Sequence, residues 1–471
     1  MTTTAPSHRT GDITGTITDF VVDLSFDDIP GHVADAGKLY TLECIGHMVA
    51  GLRHPVGQIV AGYVRSLGAR PQATIYGAGF KSTLAEAAYA NGTLAHADEL
   101  EAYGTVAGTG LIPPIVAALA VAEWQHRPGS EYLAALVAGI EIQGRLGLAA
   151  PGAPDRGFMG FSLVGPAGAA VAAGKLLGLD ADQMRNALGV ALPLSGGSLR
   201  GCGYMTHVHE AGVPARTGVW AAVLASQGFT GCPDYLDGAH SWGEQFAAGG
   251  RGWHPERITA GLGSSAFFAV EPGSAPKRYG ACGLTHLAVE GLIDLMTEQG
   301  IGPGDITAVE LLLPPFATRV AGFEEPENGE QAKFSIKQAV AGIMVDGVPA
   351  LPYLSAFTDE AARDPRYVAA RQRITLLSDD TAADVRGFDT QTVTVVLADG
   401  RRLSKTVEGL SVRGRQQRPL TVDERLDLFR NTVVGVLGPS ATEAVIDVVM
   451  TCEQRSMGEV GAVIGPADRP G

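Results

Sequence analysis

Over roughly the first 265 residues, apolar positions crowd into long stretches of Ala, Gly, Leu and Val with short polar breaks. This pattern predicts one helix after another. "ITGTITDFVVDL" and the proline-led "PGHVADAGKLYTLECIGHMVAGL" open the series within residues 15–60. "STLAEAAYANGTLAHADELEAYG" predicts a small-residue helix from Ser82 whose charges arrive only at its end. "PPIVAALAVAEWQ", "GSEYLAALVAGIEIQGRLGLAA", "FSLVGPAGAAVAAGKLLGL", "DADQMRNALGVALPLSGG" and "TGVWAAVLASQGFTG" continue it. Helices so poor in bulky side chains have shallow ridges, approach one another closely and are buried on several sides, so an all-α core is expected.

The texture changes after about residue 265. "ITAVELLLPP", "RITLLSD" and "TVTVVLADGRRLSKTV" alternate or run in β-branched residues, and Asp399-Gly400 is a hairpin signal. Helical patterns at "THLAVEGLIDLMTEQG" and "KFSIKQAVAGIMVDG" lie between them, which makes residues 266–410 an expected α+β domain. From "TVDERLDLFRNTVVGVLG" the chain reads as helical again, with Thr421 and Glu424 spaced as a capping box. The expected fold is mainly α: residues 1–265 and 411–471 form one helical domain around the inserted α+β domain.

Composition narrows the function classes. A chain of 471 residues with 45% hydrophobic and 18% charged residues is a well-buried globular protein. A net charge of −15 argues against nucleic acid or an anionic membrane as partner, and leaves an anionic small molecule in need of a local cluster of cations. Five scattered cysteines without CxxC spacing, a polar N-terminus and no uncharged apolar run of membrane-spanning length lead to the expectation of a cytoplasmic protein with reduced thiols.

Three segments concentrate chemistry. "GYMTHVHEAGVPARTG" holds Tyr204, His207, His209 and Glu210; these suit metal ligands, proton carriers or a polar turn ahead of the next helix. A metal site would need a further ligand that no spacing supplies, so no metal is expected. "HADELEAYG" places Asp98, Glu99 and Glu101 at the end of an apolar helix, where they oppose the helix dipole. They read either as a solvated end or as a carboxylate aimed into a cleft, its pKa raised by neighbouring acids. "APKRYGACGLTH" carries Lys277, Arg278, Cys282 and His286; the Lys-Arg pair suits a carboxylate clamp or ordinary surface charge. No GxGxxG after a strand, Walker loop or GxSxG elbow is present, and no nucleotide cofactor is expected.

In this order, "YANGTLAHADELEAYG", "VAGIEIQGRLG", "HEAGVPARTGVWAAVLASQGFTG", "PKRYGACGLTH" and "AKFSIKQAVAGIMVDG" resemble the MmgE/PrpD family, which includes 2-methylcitrate dehydratase, cis-aconitate decarboxylase and iminodisuccinate epimerase. The resemblance spans nearly the whole chain. It implies a helical domain built from both chain ends with an α+β lid, a homodimer, and metal-free, cofactor-free proton chemistry beside a carboxylate in the cleft between domains. It also implies that the family's acidic position falls on Glu99, its histidine positions on Thr109 and Met159, its lysine on His207, its lid histidine or cysteine on Cys282, and its lid-helix tyrosine on Gln338.

The expected function is a cofactor-free, dehydratase-like lyase that removes a proton α to a carboxylate or carbonyl of a small organic acid. The replaced positions suit a substrate less anionic than the family's tricarboxylates. His207 is the expected base and Glu99 its acid or orienting partner, with Tyr204 and Cys282 as further catalytic candidates. Lys277, Arg278, Arg156, His209, Thr109, Met159 and Gln338 are the expected substrate contacts. An isomerase or epimerase using the same cleft, a non-catalytic ligand-binding member, and a metal-dependent hydrolase using His207 and His209 are the alternatives.

Overall fold

The computed structural model describes residues 12–104, 110–247, 252–264, 267–380 and 390–464. The fold is mainly α: 61% of it is helical, and its sheets are small. Helices form where the apolar runs predicted them: Ile13–Asp23, Gly31–Gly51, Ile112–Trp124, Gly129–Ala149, Gly160–Leu177, Ala181–Ala191 and Gly212–Ser226. Two of these, Gly129–Ala149 and Gly160–Leu177, are apolar and long enough to cross a membrane, yet 94% and 78% of their apolar windows are buried within the fold. They are core helices, buried on several sides as their small residues allow.

One hydrophobic core gathers residues from Ile17 to Ala269 and then Phe429, Val433, Val445, Ile446 and Val449 from near the C-terminus. The helix Val422–Leu437, capped by the reciprocal Thr421–Glu424 box, packs on Gly31–Gly51. A second core spans Tyr279 to Leu397 and takes in Met159 and Cys202 from the first segment. Its four-stranded sheet runs in the order Ile374–Ser378, Ile306–Leu313, Thr390–Leu397, Arg402–Glu408. The first pair is parallel and the others antiparallel. Burial alternates along Thr390–Leu397, so one face of the sheet is covered, in part by the helix His286–Gln299.

Small residues determine how the site-bearing helices meet. A Cβ on Gly92 would lie 2.8 Å from the Cα of Gly212, and one on Gly218 would lie 2.4 Å from the backbone nitrogen of Ala170. Side chains would hold these backbones apart; glycine lets the helix Leu84–His96 lie directly against Gly212–Ser226. His96 closes the first of these helices, and His207 lies five residues before the second. That contact is what brings the two histidines together.

Two local readings need correction. The small-residue helix begins at Leu84, because Phe80–Ser82 pairs with Ala73–Ile75 as a short hairpin. It also ends at His96, so the acidic cluster lies in the turn beyond the helix. His207 and His209 both lie on a helical turn, Met205–His209. Residues two apart on a helix point in widely different directions, which separates the two imidazoles.

Candidate active site

The turn after Leu84–His96 is tied down residue by residue. Asp98 is buried and bonded to His54 and Arg53; burial resists its ionisation, but the hydrogen bond from His54 and the Arg53 charge bring it down to about 2. Glu99 takes a left-handed backbone conformation, φ 55°, which a non-glycine residue adopts at a cost of roughly 1–3 kcal/mol unless its surroundings hold it there. From the other domain, the Lys333 ammonium donates to the Ala97 carbonyl at 2.7 Å, and Tyr103 and Ala275 exchange backbone hydrogen bonds. The strained residue sits where the two cores meet.

Glu99 is the hub of the charges. Its Oε1 accepts from the Lys277 ammonium at 2.8 Å, and Glu101 accepts from the same ammonium at 2.6 Å. Its Oε2 faces His96 Nε2 at 3.2 Å and His207 Nε2 at 3.5 Å. The His96 contact is within ion-pair range but not aligned as a hydrogen bond. His96 donates through Nδ1 to the Val208 carbonyl. On its other side, His207 Nδ1 lies 3.6 Å from Glu210 Oε2 and 3.9 Å from the Cys202 sulfur. Phe334 packs edge-on against His207, and Phe161 against both imidazoles. All of these ionisable groups are more than nine-tenths buried.

Burial alone would raise Glu99, but Lys277 and His96 outweigh it and hold the carboxyl well below the ordinary range. Glu101 is lowered too, against burial and the Glu99 charge, by Lys277 and His96. Burial opposes protonation of His207, yet Cys202, Glu210 and Glu99 together hold it well above its ordinary value; His96 is raised against burial by Glu101 and Glu99. The arrangement thus favours the carboxylate forms of Glu99 and Glu101 and the protonated forms of His96, His207 and Lys277. These shifts run opposite to the expected assignment, favouring a carboxylate on Glu99 and a proton on His207. Neighbouring acids do not raise Glu99, because the cations are nearer.

Several expected contacts have partners within the protein. Lys277 is raised by Glu101 and Glu99 against burial, and both its carboxylate partners belong to the protein, so it does not present a free clamp. Arg278 is buried against Glu290 at 2.8 Å, an acceptor it shares with the Tyr279 hydroxyl. Gln338 is fully buried and spans the Ala356 carbonyl and Arg371. Met159 precedes the helix Gly160–Leu177 and fills the second core. His209 faces Tyr89, 6.3 Å between ring centroids, away from the cluster. Burial, with the Glu99 charge, pushes the Cys282 thiol up to about 12, so it is neutral and no ready nucleophile. Thr109 lies outside the described residues.

Tyr204 and Arg156 lie further out. Both line a cavity of about 680 Å³ between the two cores, and Cys202 lines the same cavity while touching His207. Glu101 and Glu210 were noted with their segments in the sequence, whereas His96, Cys202 and Lys333 were not singled out there. The signal for His96 was present in "HADELE", where the helix's last residue precedes the acidic run.

Residues 15–254 match the MmgE/PrpD N-terminal domain, and residues 279–454 match the MmgE/PrpD C-terminal domain. This chain belongs to the MmgE/PrpD family. Curated relatives of this MmgE/PrpD protein align along lengths that run from about half to almost all of the chain. "Cis-aconitate decarboxylase" of Aspergillus terreus is 26% identical over 472 residues, 95% of this chain and 94% of that protein. "Cis-aconitate decarboxylase" of Homo sapiens is 24% identical over 439 residues, 90% and 89% of the two chains. "Cis-aconitate decarboxylase-like protein oryM" of Aspergillus oryzae is 29% identical over 277 residues, 55% of this chain and 57% of that protein. At the level of the family, the chain is lyase-like.

Proposed function

We propose that this protein is a lyase that removes carbon dioxide from a small unsaturated or oxo acid, with the His207 imidazolium as proton donor. The observation that carries this reading is the buried His207 imidazole set between the Glu99 and Glu210 carboxylates, at 3.5 and 3.6 Å, which favour its protonated form. Loss of carbon dioxide breaks the carbon–carboxylate bond and leaves its electron pair on the substrate as a carbanion or enolate. The step then needs an acid to protonate that carbon, which His207 supplies; water returns the proton afterwards. Phe161 and Phe334 present apolar faces beside the imidazole, and poor solvation of the departing carboxylate favours its loss as a neutral gas.

Charge balance bears on the substrate's reacting end. Glu99, Glu101 and Glu210 face Lys277, His96 and His207, so each basic group of the deep cluster already has a carboxylate beside it. That suits a single carboxylate at the reacting carbon. His96, Glu99 and His207 also bring ligand-type atoms within 4.8 Å of one another, but the Lys277 ammonium occupies the charge of the same carboxylate. No metal is therefore part of the proposal, and stoichiometric zinc or manganese in purified, active protein would count against it.

The test is to incubate the protein with cis-aconitate and with smaller unsaturated mono- and dicarboxylic acids in heavy water. Carbon dioxide release with one solvent deuteron incorporated per product is expected. Deuterium exchange without carbon dioxide would favour the isomerase reading. Neither exchange nor release from any acid would refute proton chemistry at this cluster.

A further inference from the structure

A second cavity, of about 280 Å³, shares no residue with the one that holds Tyr204 and Arg156. It lies where the chain crosses between its cores. The chain leaves the first core after Ala269, enters the second at Tyr279 and has rejoined the first by Phe429. Both crossings wall the cavity, through residues 270–276 and residues 410–420. They are joined there: the Gln416 amide donates to the Pro272 carbonyl at 3.0 Å, and the Tyr40 hydroxyl donates to the Ser274 carbonyl at 2.6 Å. Two arginines complete the lining. Arg415 stacks over the Tyr103 ring at 4.4 Å and donates through Nη1 to the Gly409 carbonyl. Arg425 lies over the Tyr40 ring at 5.0 Å. Its bond to Glu43, at 2.6 Å, uses Nε alone and leaves the Nη pair without an acceptor among the described residues. No Asp or Glu is among the residues that line the cavity.

We infer that this cavity binds a small phosphate-type oxyanion, held by Arg415 and Arg425, and that the bound anion braces the crossing between the cores. A guanidinium stacked on an aromatic ring is a preorganised donor fork, and a tetrahedral anion has acceptors enough for two such forks. With two arginines and no carboxylate in its walls, the cavity attracts an anion although the whole chain carries −15. Its volume is just below the ~300 Å³ at which ligand pockets begin, which suits an inorganic ion or the phosphate end of a small ester rather than a nucleotide. Arg415 belongs to the returning crossing and Arg425 to the helix Val422–Leu437 of the first core. An anion shared by the two fixes that crossing against that core. The inference does not rest on the lyase reading.

The experiment is isothermal titration of the whole protein with inorganic phosphate, at neutral pH, constant ionic strength and in a phosphate-free buffer. Saturable binding is expected. Arg415→Gln and Arg425→Lys should each weaken it about tenfold, the loss of one charge-assisted hydrogen bond; lysine at 425 keeps a cation beside Glu43 but has no fork. Arg401→Gln, on the hairpin, and His207→Gln, in the deep cluster, should leave it unchanged. Loss of binding in His207→Gln would place the phosphate at that cluster and overturn the inference. A titration with glycerol phosphate separates the two sources: tighter binding than inorganic phosphate assigns the site to an ester, weaker binding to the free ion, and both keep the site. Hydrogen exchange of the unaltered protein, read by mass spectrometry, needs no variant to fold and should slow across residues 270–276 and 409–421 when phosphate is bound. The inference fails if phosphate does not saturate, if both arginine variants keep wild-type affinity, or if exchange in the two crossings is unchanged.

Discussion

Replacing Lys277 with methionine tests whether this lysine holds the acidic turn together or clamps substrate. The ammonium contacts Glu99 at 2.8 Å and Glu101 at 2.6 Å. At an effective dielectric of about 20, each contact is worth about 6 kcal/mol of attraction, offset by several kcal/mol of desolvation for each buried ion. Lys277→Met removes the attraction and leaves two carboxylates buried, so a loss of about 3–5 kcal/mol is expected. Unfolding entropy of about 2.1 cal/mol/K per residue, over 471 residues, comes to about 1 kcal/mol/K. The melting temperature should therefore fall by about 3–5 °C if the chain unfolds as one unit. The acids are depressed, so their contribution is present above the ordinary value of 4.5 and is lost as the pH falls through their lower folded values. Lys277 is raised, so its contribution is present below 10.5 and is lost only as the pH climbs beyond that. The difference between variant and wild type should thus be widest across the neutral range. Urea titration of the wild type, Lys277→Met, Glu101→Gln and the double variant closes a cycle, in which the double variant should recover about 1–2 kcal/mol. Kinetically, kcat should fall more than KM rises. Wild-type stability in Lys277→Met, or a pure rise in KM, would show that the lysine is free for substrate and refute this account.

His207→Gln should lower kcat by about 10²–10⁴-fold while leaving the circular dichroism spectrum unchanged. The wild-type rate should fall on the alkaline side as His207 loses its proton, and Glu99→Gln, which removes one of the charges that raise it, should move that limb to lower pH; an unmoved limb would detach Glu99 from His207. Cys282→Ser should keep kcat within the same order of magnitude, and the native thiol should react slowly with thiol reagents, because it is buried and neutral at pH 8. Gly92→Ala should destabilise by about 1–3 kcal/mol and lower kcat, since the added methyl pushes the helix that ends in His96 away from Gly212; an unaffected variant would mean that this contact does not position the histidines.

Much of the architecture was legible in the order of residues. Apolar runs of helical length became helices, the Thr421–Glu424 box capped its helix, and Asp399-Gly400 joined two strands, because these features depend on propensity and hydrogen bonds within a few residues. The segments that carry the chemistry could be found for the same reason: proton carriers are rare in a chain so rich in Ala and Gly. Their roles could not be read there. Whether Lys277 meets a substrate or Glu99, and whether Glu99 gives or takes a proton, depends on partners 178 positions apart in the chain. A titrating group answers to the nearest charges and the local burial, and both exist only once the chain has packed. Tertiary structure therefore put His96 in the site and His209 outside it, closed Arg278 and Gln338 into the second core, and paired Lys277 internally. It also gathered Arg156 with Arg200 and Arg319, which are scattered in sequence, around one cavity, because each is carried there by a different turn of the fold.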